Sequence, residues 1–63
     1  MKITEIKRKM EELFVAFVER NDESYFEFYN ALHTLRALNM ITEEMWKKIY
    51  TYDRKLAQVY LDL

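Results

Sequence analysis

Apolar residues recur at the three- and four-residue spacing of one helix face in three successive segments of the chain. The first two series are Ile3, Ile6, Met10, Leu13, Phe14 and Phe17, then Tyr25, Phe28, Tyr29, Leu32 and Leu35. The third is Met45, Ile49, Tyr52, Leu56, Val59 and Leu63. This pattern predicts helices over about 4–20, 23–38 and 42–62, each with one buried face.

Polar residues at the expected boundaries support these helices. Thr4 is the predicted cap of the first helix, and Asn21, Asp22 and Ser24 are candidate caps of the second. Ser24-x-x-Glu27 has the form of a capping box, in which hydroxyl and carboxylate each accept a hydrogen bond from a backbone amide at the helix start.

The boundary between the second and third helices carries two further signals. Asn39 is suited to a left-handed turn in a chain without glycine, so it is predicted to end the second helix. Thr42 is the predicted cap of the third helix, with Ile41 and Trp46 spaced to pack together across it as a hydrophobic staple.

The length and the absence of glycine and proline define the fold class. The 63 residues are expected to form one all-α domain, 1–63, either a three-helix bundle or an antiparallel helical hairpin with a third helix. Its turns would be short and free of glycine and proline. Because a chain of this size buries only roughly 60% of its unfolded surface, dimerisation would complete its core.

The third predicted helix carries more apolar residues than one face can hold. A second series lies about 100° around the helix from the first and comprises Trp46, Tyr50, Asp53, Ala57 and Tyr60, with Leu61 beside it. Phe26, His33 and Ala37 flank the core stripe of the second helix in a milder form of the same pattern.

This second series has two interpretations. Aromatic residues at helical spacing are usually core, and Tyr29 and Tyr60 border the primary stripes. However, a composition that is 51% hydrophobic and 16% aromatic exceeds what so small a bundle can enclose. Since tyrosine and tryptophan are enriched in binding hot spots, an interface is preferred. Its predicted residues are Trp46, Tyr50, Asp53, Tyr60, Phe26 and His33.

A basic strip on the third helix supports an alternative, a homodimeric regulator that binds nucleic acid. The strip comprises Lys47, Lys48, Arg54 and Lys55, and Lys7, Arg8 and Lys9 of the first helix could add to it. The helix would begin with Glu43 and Glu44, which repel phosphate at the end that should dock, and the formal net charge is −1. A solvent-exposed face balanced by acids elsewhere is therefore the favoured interpretation.

The candidate catalytic groups do not form a recognisable site. His33 has no histidine or carboxylate three or four residues away, and Ser24 is better explained as a cap. A metal-dependent enzyme built on His33 is a distant third hypothesis, since metal sites need three or four ligands. Zero cysteines exclude a thiol nucleophile, and zero glycines exclude a glycine-rich phosphate loop. We predict no catalytic residue, cofactor or metal.

These observations favour a small non-enzymatic helical protein that binds another protein, itself, or both. The longest apolar run, Leu13 to Val18, is far shorter than the ~20 residues of a membrane span, so a cytoplasmic location without membrane contact is expected. An inhibitor or regulator of a host or defence protein, encoded by a phage or mobile element, is the function that this size and composition favour.

Overall fold

The computed structural model describes residues 2–61, which form an all-α three-helix bundle as predicted. The helices are α1 (Ile3–Arg20), α2 (Ser24–Ala37) and α3 (Glu43–Leu61). The bundle measures 33 × 18 × 18 Å. Helix α1 packs closely against both other helices, whereas α2 and α3 approach each other much less. The amino-terminal end of α3 and the carboxy-terminal end of α2 meet at one end of the bundle.

The predicted apolar faces of the three helices form a single core. Ile6, Met10, Leu32 and Ile49 are its fully buried members, with side chains at most 1% exposed. The rest of the buried cluster comprises Phe14, Tyr25, Ile41, Trp46 and Leu56. Val59, which the spacing also assigns to the core, is 66% exposed. Near the end of α3 it is Tyr60 that faces α1, with its ring 5.9 Å from that of Phe14. Leu63, predicted on the same seam, lies outside the described residues.

The starts of α1 and α2 differ from the capping predictions. Helix α1 begins at Ile3 and its cap residue is Lys2, whose carbonyl accepts hydrogen bonds from the amides of Glu5 and Ile6. Thr4 therefore lies inside the helix. The packing of Ile3 against the core accounts for the earlier start.

At the start of α2 the Asp22 side chain replaces the predicted capping box. Its Oδ1 accepts hydrogen bonds from the Ser24 hydroxyl at 2.7 Å and the Ser24 backbone amide at 3.0 Å. These bonds lower the pKa of Asp22. The Ser24 hydroxyl thus serves as a donor to the preceding carboxylate, so the prediction that it pairs with Glu27 is wrong.

The boundary between α2 and α3 follows the prediction. Asn39 has a φ of 59°, and the amide of Met40 donates to the carbonyl of Leu35 at 2.9 Å, as in a Schellman turn. Thr42 Oγ1 accepts a hydrogen bond from the Met45 amide at 3.2 Å. Asn21, predicted as a helix start, instead ends α1 in the same left-handed conformation, with a φ of 56°.

We predict that Thr42→Ala lowers the free energy of unfolding by about 1 kcal/mol, since it removes the acceptor for an amide in the first turn of α3. Urea denaturation followed by circular dichroism measures the change. Thr42→Ser is the matched control, because it keeps the hydroxyl and should retain most of the stability. An equal loss in both variants would show that the methyl group, and not the cap, stabilises the turn.

Candidate functional site

An aromatic cluster joins α2 to the first half of α3. The Trp46 ring lies 4.5 Å from the His33 ring and 5.7 Å from the Tyr29 ring, measured between centroids. The Arg36 guanidinium lies over Trp46 at 5.2 Å and pairs with the Glu43 carboxylate at 3.6 Å. We call the surface formed by Tyr29, His33, Trp46, Tyr50 and Asp53 the aromatic face.

The structure corrects the expected position of Trp46. Its side chain is only 6% exposed, so it belongs to the core of the chain rather than to a free surface. The physical reason is that α2 covers it with Tyr29, His33 and Arg36. Ile41, its predicted partner across the Thr42 cap, is buried in the same cluster. Only the edge of Trp46 reaches a groove at the surface.

Tyr50 is the exposed aromatic residue of this face. It is 47% exposed, and with Trp46 it lines a groove of about 380 Å³. The remaining lining residues are Arg36, Glu43, Lys47 and Thr51. Burial, and secondarily the nearby Tyr50 hydroxyl, raise the pKa of Tyr29. Because Tyr50 is half exposed and is not part of the buried cluster, it presents an aromatic ring to solvent.

Asp53 is the unusual polar residue of the same face. It lies one turn beyond Tyr50 on α3 and is half-buried. Its Oδ1 is shielded from solvent and accepts no hydrogen bond from the described residues. Burial raises the pKa of Asp53. A carboxylate without a partner destabilises a fold unless another charge or donor approaches it.

Two other residues predicted at the interface lie apart from the aromatic cluster. Tyr60 is 37% exposed, and its ring contacts Phe14 of α1 with the centroids 5.9 Å apart. Phe26 is 48% exposed and packs edge-on against Phe17 of α1 at 4.9 Å. The structure thus brings His33 and Trp46 together, with Tyr50 and Asp53 farther along α3, but Tyr60 and Phe26 pack instead on the second half of α1.

The basic strip is also divided. Lys47, Lys48 and Lys55 line a groove of about 390 Å³ between α1 and α3, and Lys7 of α1 joins them there. Arg54 lines a separate groove of about 360 Å³, which Lys55 shares. The four residues therefore do not form one continuous row. Three of them join Lys7 of α1 in a cluster of lysines, and Arg54 lies outside this cluster.

Sequence reasoning missed Arg36, and it named Lys7 only as one of three first-helix residues that could add to the basic strip. Arg36 lies three residues beyond His33 on α2, so its position on the helix wheel could have indicated that it reaches the same face. No local signal could select Lys7 from Lys7, Arg8 and Lys9 as the residue that reaches the α3 groove, because that position depends on how α1 and α3 pack.

Among residues 2–61, no group of three or more histidine, cysteine, aspartate or glutamate side chains is arranged to hold a metal ion. Within the same range, none of the three helices has both the length and the apolar character of a membrane span. Comparison with protein-family models, with curated proteins and with solved structures gives no match to this chain. No relative's activity therefore bears on its function.

Proposed function

We propose that this chain is a non-enzymatic binding module that inhibits or regulates another protein through its aromatic face. The observation that supports this function best is that Tyr50, an exposed aromatic ring, lies one turn of α3 before Asp53. The Oδ1 atom of Asp53 has no hydrogen-bond donor among the described residues. Neither feature stabilises the isolated chain. Both become favourable when another molecule covers them.

Charge complementarity defines the chemistry of the partner. A lysine or arginine that docks on the exposed side of Asp53 would stabilise its ionised form. Apolar side chains next to that cation would cover the Tyr50 ring and the edge of Trp46. The proposed partner is therefore a protein that presents a basic residue flanked by apolar residues, and a second copy of this chain is the alternative occupant.

The partner can be identified by crosslinking and then used to test the face. A photoreactive phenylalanine analogue replaces Tyr50 in one bait and the exposed Glu12 of α1 in a control bait, and both baits are expressed in cells that make the chain. A protein crosslinked only from position 50 is then purified. Its dissociation constant is measured with the wild type and with variants of the aromatic face.

We predict that Tyr50→Ala weakens binding of this partner by more than about 1 kcal/mol, roughly fivefold, because exposed tyrosines at interfaces act as hot spots. The monomer should remain nearly as stable as the wild type. Glu12→Ala, an exposed position on α1 that lines neither groove beside Tyr50, is the control and should bind normally. A folded Tyr50→Ala variant with unchanged affinity would contradict the proposal.

Self-association is measured in parallel by sedimentation over the micromolar range. An obligate dimer would show a thermal midpoint that rises with protein concentration. Concentration-dependent association that Tyr50→Ala removes would assign the aromatic face to a second copy of this chain. A monomer with a constant midpoint would leave a foreign protein as the occupant.

A further inference from the structure

The groove between α1 and α3 concentrates positive charge on a chain whose formal net charge is −1. Four lysines from two helices converge on a volume of about 390 Å³. We call this surface the lysine groove; it is lined by Lys7, Lys47, Lys48, Thr51, Tyr52 and Lys55. It shares Lys47 and Thr51 with the edge of the groove beside Trp46, but its other residues are separate.

Most of this charge is not neutralised within the described part of the chain. Lys48 lies 3.9 Å from Glu44, and both side chains are well exposed, so this pair contributes little. Within residues 2–61, no carboxylate lies within 4.0 Å of the ammonium groups of Lys7, Lys47 or Lys55. Four lysines that line one groove favour an anion that interacts with several of them together.

The floor of the groove positions one of these lysines. The Tyr52 hydroxyl donates a hydrogen bond to Glu11 Oε2 at 2.9 Å, which joins α3 to α1. Lys7 lies over the Tyr52 ring, with its Nζ 5.4 Å from the ring centroid. Since the ring attracts this cation, Lys7 is held at the groove although it belongs to the neighbouring helix. Thr51 adds a hydroxyl to the lining.

We propose that the lysine groove binds a small anion that carries two or more linked phosphate groups. Two phosphate groups together carry roughly three to four negative charges, which matches the four lysines. Lysine ammonium groups bind phosphate as point charges, so an open surface that gathers several of them can hold such an anion.

The surroundings disfavour an extended nucleic acid strand. Glu43 and Glu44 lie one turn before Lys47 and Lys48, so a strand that continued past the groove would meet two carboxylates. Lys7 lies over one face of the Tyr52 ring, so a base that stacked on that face would have to displace it. A compact polyphosphate avoids both obstacles.

Titration with sodium tripolyphosphate tests the proposal. Binding is measured by calorimetry at about 0.15 M ionic strength, and the contact is located by amide chemical shifts in the NMR spectrum. We expect the largest shifts at Lys7 and Tyr52, which line this groove and not the one beside Arg54, and an affinity that falls as salt is added. Inorganic phosphate, a single-stranded oligothymidylate and a polyglutamate peptide are titrated alongside, and all three should bind more weakly.

Matched variants separate the groove from the general charge of the chain. The double variant Lys7→Gln, Lys55→Gln should weaken tripolyphosphate binding by about tenfold or more, or about 1.4 kcal/mol. The control, Lys9→Gln with Arg54→Gln, removes the same charge from the same two helices outside the lysine groove and should bind within about twofold of the wild type. Circular dichroism verifies that both double variants are folded.

Three results would overturn the proposal. The first is no detectable tripolyphosphate binding at this ionic strength, and the second is an equal loss of affinity in the control variant. The third is tighter binding of the oligonucleotide or the peptide than of tripolyphosphate, which would assign the groove to a nucleic acid or an acidic protein. None of these results depends on the aromatic face or on its partner.

Discussion

Replacing Trp46 with alanine is expected to unfold a large fraction of the protein. The side chain is 6% exposed and contacts Tyr29, His33 and Arg36, so its loss leaves a large cavity between α2 and α3. Removing a buried tryptophan costs about 3–5 kcal/mol. Because domains are stabilised by roughly 0.05–0.15 kcal/mol per residue, a chain of 63 residues has about 3–9 kcal/mol in reserve, and the lower half of this range is comparable to the loss.

Urea denaturation followed by far-ultraviolet circular dichroism measures this loss without relying on tryptophan fluorescence. Trp46→Phe should be destabilised less than the alanine variant, since it keeps an aromatic ring between His33 and Tyr29. Tyr50→Ala, one turn away and exposed, should retain nearly the stability of the wild type. A Trp46→Ala variant within about 1 kcal/mol of the wild type would contradict the buried position of the ring.

Replacing Asp53 with leucine is expected to have the opposite effect on stability and to weaken binding. The substitution removes a shielded oxygen that has no hydrogen-bond donor among the described residues and keeps a similar side-chain shape. We expect a gain of about 1–2 kcal/mol at neutral pH, toward the lower end because the carboxylate is only half-buried. The same variant should bind the partner of the aromatic face more weakly.

The pH dependence separates charge from shape at this position. Burial raises the pKa of Asp53 above its ordinary value of 3.8, so the folded state binds more protons than the unfolded state. The free energy of unfolding should therefore fall as pH increases from about 3.8 through the raised pKa. Both Asp53→Asn and Asp53→Leu should lack this component, which is measured as the difference from the wild type in urea melts at several pH values.

Asp53→Asn also controls for helix propensity, because asparagine and aspartate are similar in this respect whereas leucine is a better helix former. If only Asp53→Leu were more stable, propensity and packing would explain the gain. If Asp53→Leu were more stable and bound the partner with unchanged affinity, the carboxylate would have no role in recognition.

The core and the second turn could be predicted from the sequence because their determinants are local. Ile49 and Leu56 follow from helical periodicity alone. Asn39 and Thr42 follow from the chemistry of helix ends, which depends on a few neighbouring residues. The start of α2 was less predictable, because Asp22 and Ser24 are both good capping residues and only one arrangement can form.

The candidate site could be predicted only in part, since it depends on how the helices pack. Helical periodicity defines the second apolar series of α3, but whether Trp46 is covered depends on the position of α2. Likewise, the sequence predicts a basic strip that includes Lys55 and could draw on Lys7, Arg8 and Lys9, but only the packing of α1 on α3 selects Lys7. Local patterns give the composition of a face, whereas the register between helices determines which residues remain exposed.

The uneven packing of α2 has a consequence for the motions of the molecule. Helix α2 is held mainly by α1, and its close ring contacts with α3 are concentrated at Trp46. Elements with fewer tertiary contacts open at lower free energy than the rest of a fold. We therefore expect the amide hydrogens of α2 to exchange with solvent earlier than those of α1. Local opening of α2 would uncover Trp46, so the aromatic face would then present more apolar surface than it does in the closed structure.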